Sequence, residues 1–204
     1  MDDFDVMAKE FDTVERKERS KIIADEMRLH IKDGSTKTAI EYGCGTGLVG
    51  FQLINEFKKI LFMDSSHGMI EQVKQKLSLL ANPNHDAVCF DLLSNTSHTV
   101  NVDYIFMSLV LHHIENTERA LSRFYDALNI GGHLLVVDID SDGGNFHAHR
   151  PDYDGHNGFE QSALADTARR VGFSKVESYT FYKSSRCIDG IDLPYSLFLL
   201  NAEK

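Results

Sequence analysis

The sequence has few cysteines, no long apolar run and no basic signal segment at its start. Cys44, Cys89 and Cys187 are widely spaced and odd in number, a pattern typical of reduced thiols in a cytoplasm and not of a disulfide framework. The longest apolar runs, such as 104–111, are far too short to span a bilayer. The N-terminus is acidic where a secretory signal would be basic and then apolar. We therefore expect a soluble, cytoplasmic protein that does not bind membranes.

Basic residues are also in deficit. The 204 residues include 21 Lys and Arg against 31 Asp and Glu, a net charge of −10, and no basic stripe is present to neutralise a run of phosphates. Nucleic acid is thus a poor candidate for the substrate. The composition, 42% hydrophobic and 25% charged, is that of an ordinary globular protein. The length suits one α/β domain over 1–204, and an amphipathic pattern predicts a helical N-terminal segment within 1–35.

Apolar, β-rich segments alternate with helical stretches along most of the chain. Strands are expected at 38–42, 59–63, 87–90, 102–108 and 133–138. Helices are expected at 14–31, 48–57, 67–80, 117–128 and 161–171. This alternation predicts a doubly wound, parallel sheet with helices on both faces.

The pattern changes near the C-terminus. Two strand-like segments, 175–182 and 195–201, have no helix between them, which predicts an antiparallel hairpin at or near the sheet edge. Their connection, 183–194, is expected to be long and irregular. Another irregular segment, 139–159, leaves the carboxyl end of the fifth strand, which is where ligands bind in open α/β sheets.

A glycine-rich turn, E-Y-G-C-G-T-G at 41–47, follows the first strand and precedes a helix that begins at Leu48. Glycines at alternate positions let the backbone turn sharply and approach a ligand without a β-carbon in the way. A dinucleotide pattern, G-x-G-x-x-G, also fits through Gly45, Gly47 and Gly50. That register places its first glycine several residues beyond the strand and leaves Glu41 and Gly43 unexplained.

In the register that starts at Glu41, the sequence from about Phe11 to the C-terminus resembles the class I, Rossmann-like S-adenosylmethionine-dependent methyltransferases. The block 39–47 is similar to the first motif of that family, E/D-x-G-x-G-x-G. Further motifs follow in the family's order: Asp64 after the second strand, C-F-D-L at 89–92, D-Y-I-F-M-S at 103–108, L-H-H-I at 111–114 and L-N-I-G-G-H-L-L at 128–135. The resemblance implies seven strands in the order 3-2-1-4-5-7-6, mostly parallel, with the last strand antiparallel.

The resemblance also implies a binding site for S-adenosylmethionine, whose product is S-adenosylhomocysteine, and a lid over it formed by the N-terminal segment 1–35 with Phe4 and Phe11. Glu41 would bind the ammonium group of the cofactor, Asp64 the two ribose hydroxyls and Asp91 the adenine amino group. The other predicted cofactor-binding residues are Gly43, Cys44, Gly45, Gly47, Ser65, Met69, Leu92 and Ser108. Simpler roles stay open: Asp64 and Asp91 could cap the elements that follow them, Met69 could belong to the core, and Cys44 could be there for its small size.

Two histidines, His112 and His113, follow the buried fourth strand. An imidazole there could act as a general base near neutral pH, and we assign that role to His113. The alternative is packing against the cofactor, because methyl transfer to an already reactive nucleophile needs no base.

The irregular segment 139–159 is rich in histidine and aspartate. Such side chains could bind a divalent metal, but their spacing matches no closed zinc pattern, and we predict a substrate-facing loop without a metal. The histidines and aspartates considered as metal ligands are His147, His149, His156, Asp152 and Asp154, and the expected substrate contacts are Arg150, Tyr153 and Phe159.

The sequence therefore predicts an enzyme that transfers a methyl group from S-adenosylmethionine to a small molecule. Two alternatives remain: a non-catalytic module that binds S-adenosylmethionine, and an NAD-dependent oxidoreductase. The sequence predicts neither the methyl acceptor nor the oligomeric state.

Overall fold

The computed structural model describes residues 4–80, 84–94, 100–150 and 152–204. They form one seven-stranded sheet with the order β3-β2-β1-β4-β5-β7-β6. The strands are β1 Thr38–Tyr42, β2 Lys59–Asp64, β3 Asp86–Cys89, β4 Val102–Ser108, β5 Leu128–Ile139, β6 Ser174–Ile188 and β7 Ile191–Glu203. The first five strands are parallel to one another, and β7 is antiparallel to both β5 and β6. The predicted fold class and strand order are confirmed.

Six helices accompany the sheet in the described ranges. They are α1 Phe4–Met7, α2 Val14–Arg28, α3 Leu48–Gln52, α4 His67–Ser78, α5 Thr117–Ala127 and α6 Gln161–Val171. Side-chain caps fix several starts, as in α4, where the Ser66 hydroxyl accepts from the Met69 amide at 3.1 Å and so satisfies a free helix donor. The prediction for α3, which extended to 57, is wrong, because the helix ends in a turn at Leu53 whose amide is shared by the Val49 and Gly50 carbonyls. None of the described helices is long and apolar enough to cross a membrane.

Both faces of the sheet are buried. Successive side chains of β4 alternate between two hydrophobic clusters, with Tyr104 and Phe106 in one and Ile105 and Met107 in the other. Helices cover both faces of the sheet. The central strands therefore have apolar side chains on both faces, instead of apolar side chains on one face and polar ones on the other.

The long connection predicted for 183–194 is wrong. Strands β6 and β7 continue to a two-residue turn at Asp189 and Gly190, which have φ angles of 51° and 79°. Left-handed backbone at both turn residues matches the twist of a hairpin. Pro194 lies where β7 pairs only with β6, so one side of the strand needs no amide donor. The outer part of the hairpin, where β7 pairs with β6 alone, thus extends beyond the end of β5.

Candidate active site

The carboxyl ends of β1 to β4 face a cavity of about 630 Å³, a size typical of small-molecule sites. Its wall includes every predicted cofactor-binding and catalytic residue except Gly47 and Leu92: Glu41, Gly43, Cys44, Gly45, Asp64, Ser65, Met69, Asp91, Ser108 and His113. Leu92 instead packs in a hydrophobic cluster. Gly47 is the residue before α3, with φ of 81°.

Left-handed backbone shapes the glycine turn. Gly43 and Gly45 have φ angles of 63° and 53°, which residues with a β-carbon adopt at a cost. A β-carbon at Gly43 would also lie 2.6 Å from the side chain of Val110. The missing β-carbon at Gly43 therefore lets Val110 pack directly against the turn.

Glu41 is the penultimate residue of β1 and is only 3% exposed. Its Oε1 accepts a hydrogen bond from the Gly50 amide in the first turn of α3 at 3.0 Å. Its Oε2 is buried and has no partner among the described residues. Burial, and then the nearby charge of Asp64, raises the pKa of Glu41 to about 8. An unpartnered carboxylate oxygen in a cavity wall suits a cationic group.

Asp64 ties the end of β2 to the glycine turn. Its Oδ2 accepts from the Gly45 amide at 2.7 Å and its Oδ1 from the Ser66 amide at 2.8 Å. Burial raises its pKa, and these amide hydrogen bonds oppose that shift. Each oxygen can accept a second hydrogen bond, so the carboxylate can hold the turn and a ligand hydroxyl together. Met69 on α4 lines the cavity and is also buried, so its position is compatible with either role considered for it.

Asp91 is held by Tyr42, a contact that the sequence did not predict. Its Oδ1 accepts from the Tyr42 hydroxyl and from the Leu93 amide, both at 2.8 Å. Burial, and then the hydrogen bond to Asp91, raises the pKa of Tyr42. Tyr42 is therefore a neutral donor that orients the Asp91 carboxylate in the cavity wall.

The N-terminal segment packs against α4 at the edge of the cavity. Asp5 accepts from the Ser66 hydroxyl at 2.5 Å and from the Gly68 amide at 2.7 Å. Asp12 pairs with Lys76 at 2.8 Å, and Phe4 and Phe11 line the cavity. The proposal of a lid over 1–35 is consistent with these contacts; its residues 1–3 lie outside the described ranges.

A buried pair follows β4 and β5. His112 Nδ1 lies 2.6 Å from Asp138 Oδ1, and the two residues are 1% and 0% exposed. Asp138 also accepts from the backbone amides of His112 and Ile139. His113, the predicted base, is exposed at the cavity wall, with its ring centroid 4.1 Å from that of His112. Only the fold brings Asp138 to His112, and no sequence signal indicates the pair.

The loop after β5 closes another side of the cavity. His147 is buried and stacks on Tyr153 with ring centroids 3.7 Å apart. Burial, and then the adjacent His112, lowers the pKa of His147 to about 3, so this imidazole is neutral. Arg150 lines the cavity, whereas Phe159 packs against the core. Nowhere in the described parts of the chain do three or more His, Cys, Asp or Glu side chains group closely enough to hold a metal ion.

Arginines from distant parts of the chain complete the wall. Arg16 and Arg19 come from α2 and Arg186 from β6. Sequence reasoning missed all three, because α2 reads as a charged amphipathic helix and Arg186 falls in the segment expected to be irregular.

The strand order, the glycine turn and the acidic side chains after β1, β2 and β3 define the class I, Rossmann-like methyltransferase fold. A family model described as "Methyltransferase domain" matches residues 40–134, slightly less than half of the chain. The resemblance inferred from the sequence is thereby confirmed.

Individual relatives agree with this class. An uncharacterized methyltransferase of Schizosaccharomyces pombe is 24% identical over 157 residues, which cover 70% of this chain and 55% of the relative. The chain spans about half the length of the curated relatives it matches.

Two solved structures share the fold. One, a candidate methyltransferase from Bacillus halodurans, has a TM-score of 0.74 at 14% identity and covers 89% of this chain and 98% of its own. The other is the phosphoethanolamine N-methyltransferase 2 of Haemonchus contortus in complex with S-adenosyl-L-methionine. It has a TM-score of 0.69 at 15% identity and covers 88% of this chain and 52% of its own.

Proposed function

We propose that this protein transfers the methyl group of S-adenosylmethionine to a small-molecule acceptor. The buried Oε2 of Glu41, which has no partner among the described residues, carries the proposal. A carboxylate oxygen there suits the ammonium group of the cofactor, and the cavity of about 630 Å³ that Glu41 lines has space for the rest of that molecule. A dinucleotide has no ammonium group to satisfy this atom, which disfavours the NAD-dependent alternative.

Different residues of the cavity wall would bind different parts of the cofactor. When bound, S-adenosylmethionine supplies an electrophilic methyl group on a positive sulfur. Glu41 would bind its ammonium group, and Asp64 would accept from the ribose hydroxyls while it holds Gly45. Asp91, oriented by Tyr42, would accept from the adenine amino group. Orientation of the two reactants supplies much of the rate of such a displacement.

The adjacent histidines would handle the proton of the acceptor. We assign proton removal to His113, which is exposed at the cavity wall. His112 would position it, because Asp138 and the core fix the His112 ring. An acceptor that is already a free nucleophile would not need this step.

Three observations favour a small acceptor. The N-terminal segment and the loop after β5 both border the cavity, the net charge of −10 disfavours nucleic acid, and the Haemonchus contortus enzyme with this fold is named for a small acceptor. The single domain over 1–204 and a cytoplasmic location remain predictions.

Calorimetry with S-adenosylmethionine and S-adenosylhomocysteine, followed by a screen for S-adenosylhomocysteine release over small acceptors, tests the proposal. Asp64→Ala should weaken binding at least about tenfold, because it removes charge-assisted hydrogen bonds from the turn and the ligand. Asp86→Ala, at an exposed carboxylate at the start of β3, is the matched control and should bind normally. Binding of NADH without S-adenosylmethionine would support the oxidoreductase, and binding without turnover over the whole panel would support a non-catalytic module.

A further inference from the structure

One wall of the cavity carries basic side chains and no acidic one. It is formed by α2, the loop after β5 and the outer half of β6. Arg19 and Arg186 both lie beside the ring of Phe146, with their Cζ atoms 6.0 and 4.3 Å from its centroid. The acidic residues of the cavity all lie at or after the ends of β1, β2 and β3. The cavity is therefore polarised between its cofactor side and this wall.

The two arginines have few anionic partners. Arg186 donates from Nη1 to the Phe146 carbonyl at 2.8 Å and lies 3.4 Å from His149 Nδ1. No ion pair found in the described part of the chain includes Arg186. Arg19 pairs with Glu15 at 2.8 Å, and the Glu15 side chain is 68% exposed. Such an exposed partner neutralises a buried guanidinium only weakly.

The wall keeps like charges close together. Burial, and then repulsion from Arg19, lowers the pKa of Arg186, but a guanidinium remains charged at any physiological pH. Bringing partly buried cations together is unfavourable unless an anion compensates them. The chain has a surplus of acidic residues, and yet none of the described ones lines the cavity on this side, since Glu15, which pairs with Arg19, lies outside the lining.

Arg186 is also held in a fixed orientation. The Phe146 carbonyl takes one of its donors, and the Phe146 ring lies against its guanidinium plane. A guanidinium with a fixed direction binds carboxylate and phosphate oxygens with little further loss of freedom. The hairpin that carries Arg186 is thus a wall of the cavity and not only the edge of the sheet.

We propose that Arg19 and Arg186 bind an anionic group, a carboxylate or a phosphate, of the methyl acceptor. The acceptor is then an anionic small molecule. This inference rests on the proposed function, whose cofactor side is separate from the arginine pair.

The carboxylate of the cofactor itself is the competing ligand for an arginine here. Arg16 suits that role better, because its Cζ lies 4.1 Å from the centroid of the Phe11 ring. Phe11 in turn lies 3.5 Å from the place where a side chain at Gly45 would begin. Arg16 is therefore connected to the glycine turn through Phe11, whereas Arg19 and Arg186 meet at Phe146.

Titrations of the full chain, with and without S-adenosylhomocysteine, separate these roles. The probes are inorganic phosphate, succinate and the neutral diamide of succinate, all at constant ionic strength. Binding is measured by the NMR shifts of backbone amides and of arginine Nε–Hε groups. Phosphate and succinate should bind saturably and the diamide should not. Arg186→Gln should weaken binding of both anions about tenfold, the loss expected for a charge-assisted hydrogen bond, and should leave the affinity for S-adenosylhomocysteine unchanged.

Lys183→Gln is the matched control, because it removes an exposed cation from the same strand. Arg19→Gln provides a second variant on an independent element. Equal anion binding by Arg186→Gln, Arg19→Gln and the wild type would overturn the inference, as would weaker S-adenosylhomocysteine binding in Arg186→Gln with unchanged anion binding. Failure of the wild type to bind S-adenosylhomocysteine would instead refute the proposed function, and the titrations without it would still test the arginine pair.

Discussion

Glu41 and Gly50 are matched to each other across the end of β1 and the first turn of α3. The Gly50 amide donates to Glu41 Oε1 at 3.0 Å, and a β-carbon at Gly50 would collide with Oε2 of the same carboxylate. Gly50 also completes a dinucleotide-like pattern in the sequence, but its role in the structure is to let the Glu41 side chain lie against the helix. The pair therefore explains both the third glycine of that pattern and the conformation of the proposed ammonium-binding carboxylate.

Gly50→Ala should destabilise the fold and weaken binding of S-adenosylhomocysteine. The new β-carbon would also lie 2.5 Å from Phe62 Cε1, in a ring that is fully buried and cannot easily move. Overpacking of this kind costs about 1–3 kcal/mol, which should exceed the gain of at most about 1 kcal/mol from alanine's helix propensity. Urea unfolding measures the first effect and calorimetry the second. Gln52→Ala, at an exposed side chain of the same helix, is the control; a Gly50→Ala protein as stable as this control would contradict the packing argument.

Glu41 should make the ligand-free protein less stable as the pH rises. Its pKa is about 8 in the folded protein, against an ordinary value of 4.5, so between these pH values the folded state keeps a proton that the unfolded state releases. The free energy of unfolding then falls as the pH rises from about 4.5 to 8. Glu41→Gln should remove this term, a relative gain at pH 8 on the order of 3 kcal/mol. Urea unfolding of both proteins at pH 5 and pH 8 measures it, and parallel pH profiles would show that Glu41 does not titrate in this range.

Binding of S-adenosylhomocysteine at pH 7 should release a proton from Glu41. The carboxyl is mostly protonated before binding because its pKa is about 8, and an adjacent ammonium group favours the ionised form. Calorimetry in buffers with different ionisation enthalpies counts the proton. The release should be absent in Glu41→Gln, and a wild type that releases none would place the ammonium group elsewhere.

The sequence predicted the glycine turn well because its signals are local. Glycines at fixed distances from a strand end permit left-handed backbone whatever the rest of the fold does. Asp64 is the last residue of β2, and Asp91 lies two residues after β3. Parallel strands then bring all these residues to one edge of the sheet. The continuous apolar sequences of the central strands are a local signal too, and they predicted that both faces of the sheet are covered by helices.

The missed features depend on contacts between distant segments. Tyr42 reads as one more apolar strand residue until the fold brings Asp91 to its hydroxyl. The outer half of β6 has polar residues on both faces, with Lys183 and Ser185 exposed and Arg186 turned to the cavity, so alternation of apolar and polar residues could not indicate a strand. Its pairing is set by the turn at Gly190 and by β7.

The two adjacent histidines should respond differently to substitution. His112→Ala leaves the buried Asp138 carboxylate without its imidazole partner, a loss of about 2–4 kcal/mol when the unpaired charge and the cavity are combined. His113→Ala, at an exposed position, should change the free energy of unfolding by less than about 0.5 kcal/mol. If His113 is the base, His113→Ala also loses turnover with its S-adenosylhomocysteine affinity intact. Full turnover in His113→Ala, with an acceptor that carries a proton at its nucleophile, would remove it from the mechanism.

Tyr42→Phe should weaken adenine recognition while the packing of the ring is kept. The Tyr42 ring packs edge-on against Phe124 with centroids 4.9 Å apart, so phenylalanine preserves that contact and deletes only the donor to Asp91 at 2.8 Å. The lost hydrogen bond costs about 1 kcal/mol of stability. Because Asp91 Oδ1 keeps only the Leu93 amide, the carboxylate is less well oriented, and binding of S-adenosylhomocysteine should weaken by a few fold. Calorimetry with adenosine, which retains the adenine and ribose but lacks the amino acid part, should show the same loss. A loss seen with S-adenosylhomocysteine and absent with adenosine would assign Tyr42 and Asp91 to the other end of the cofactor.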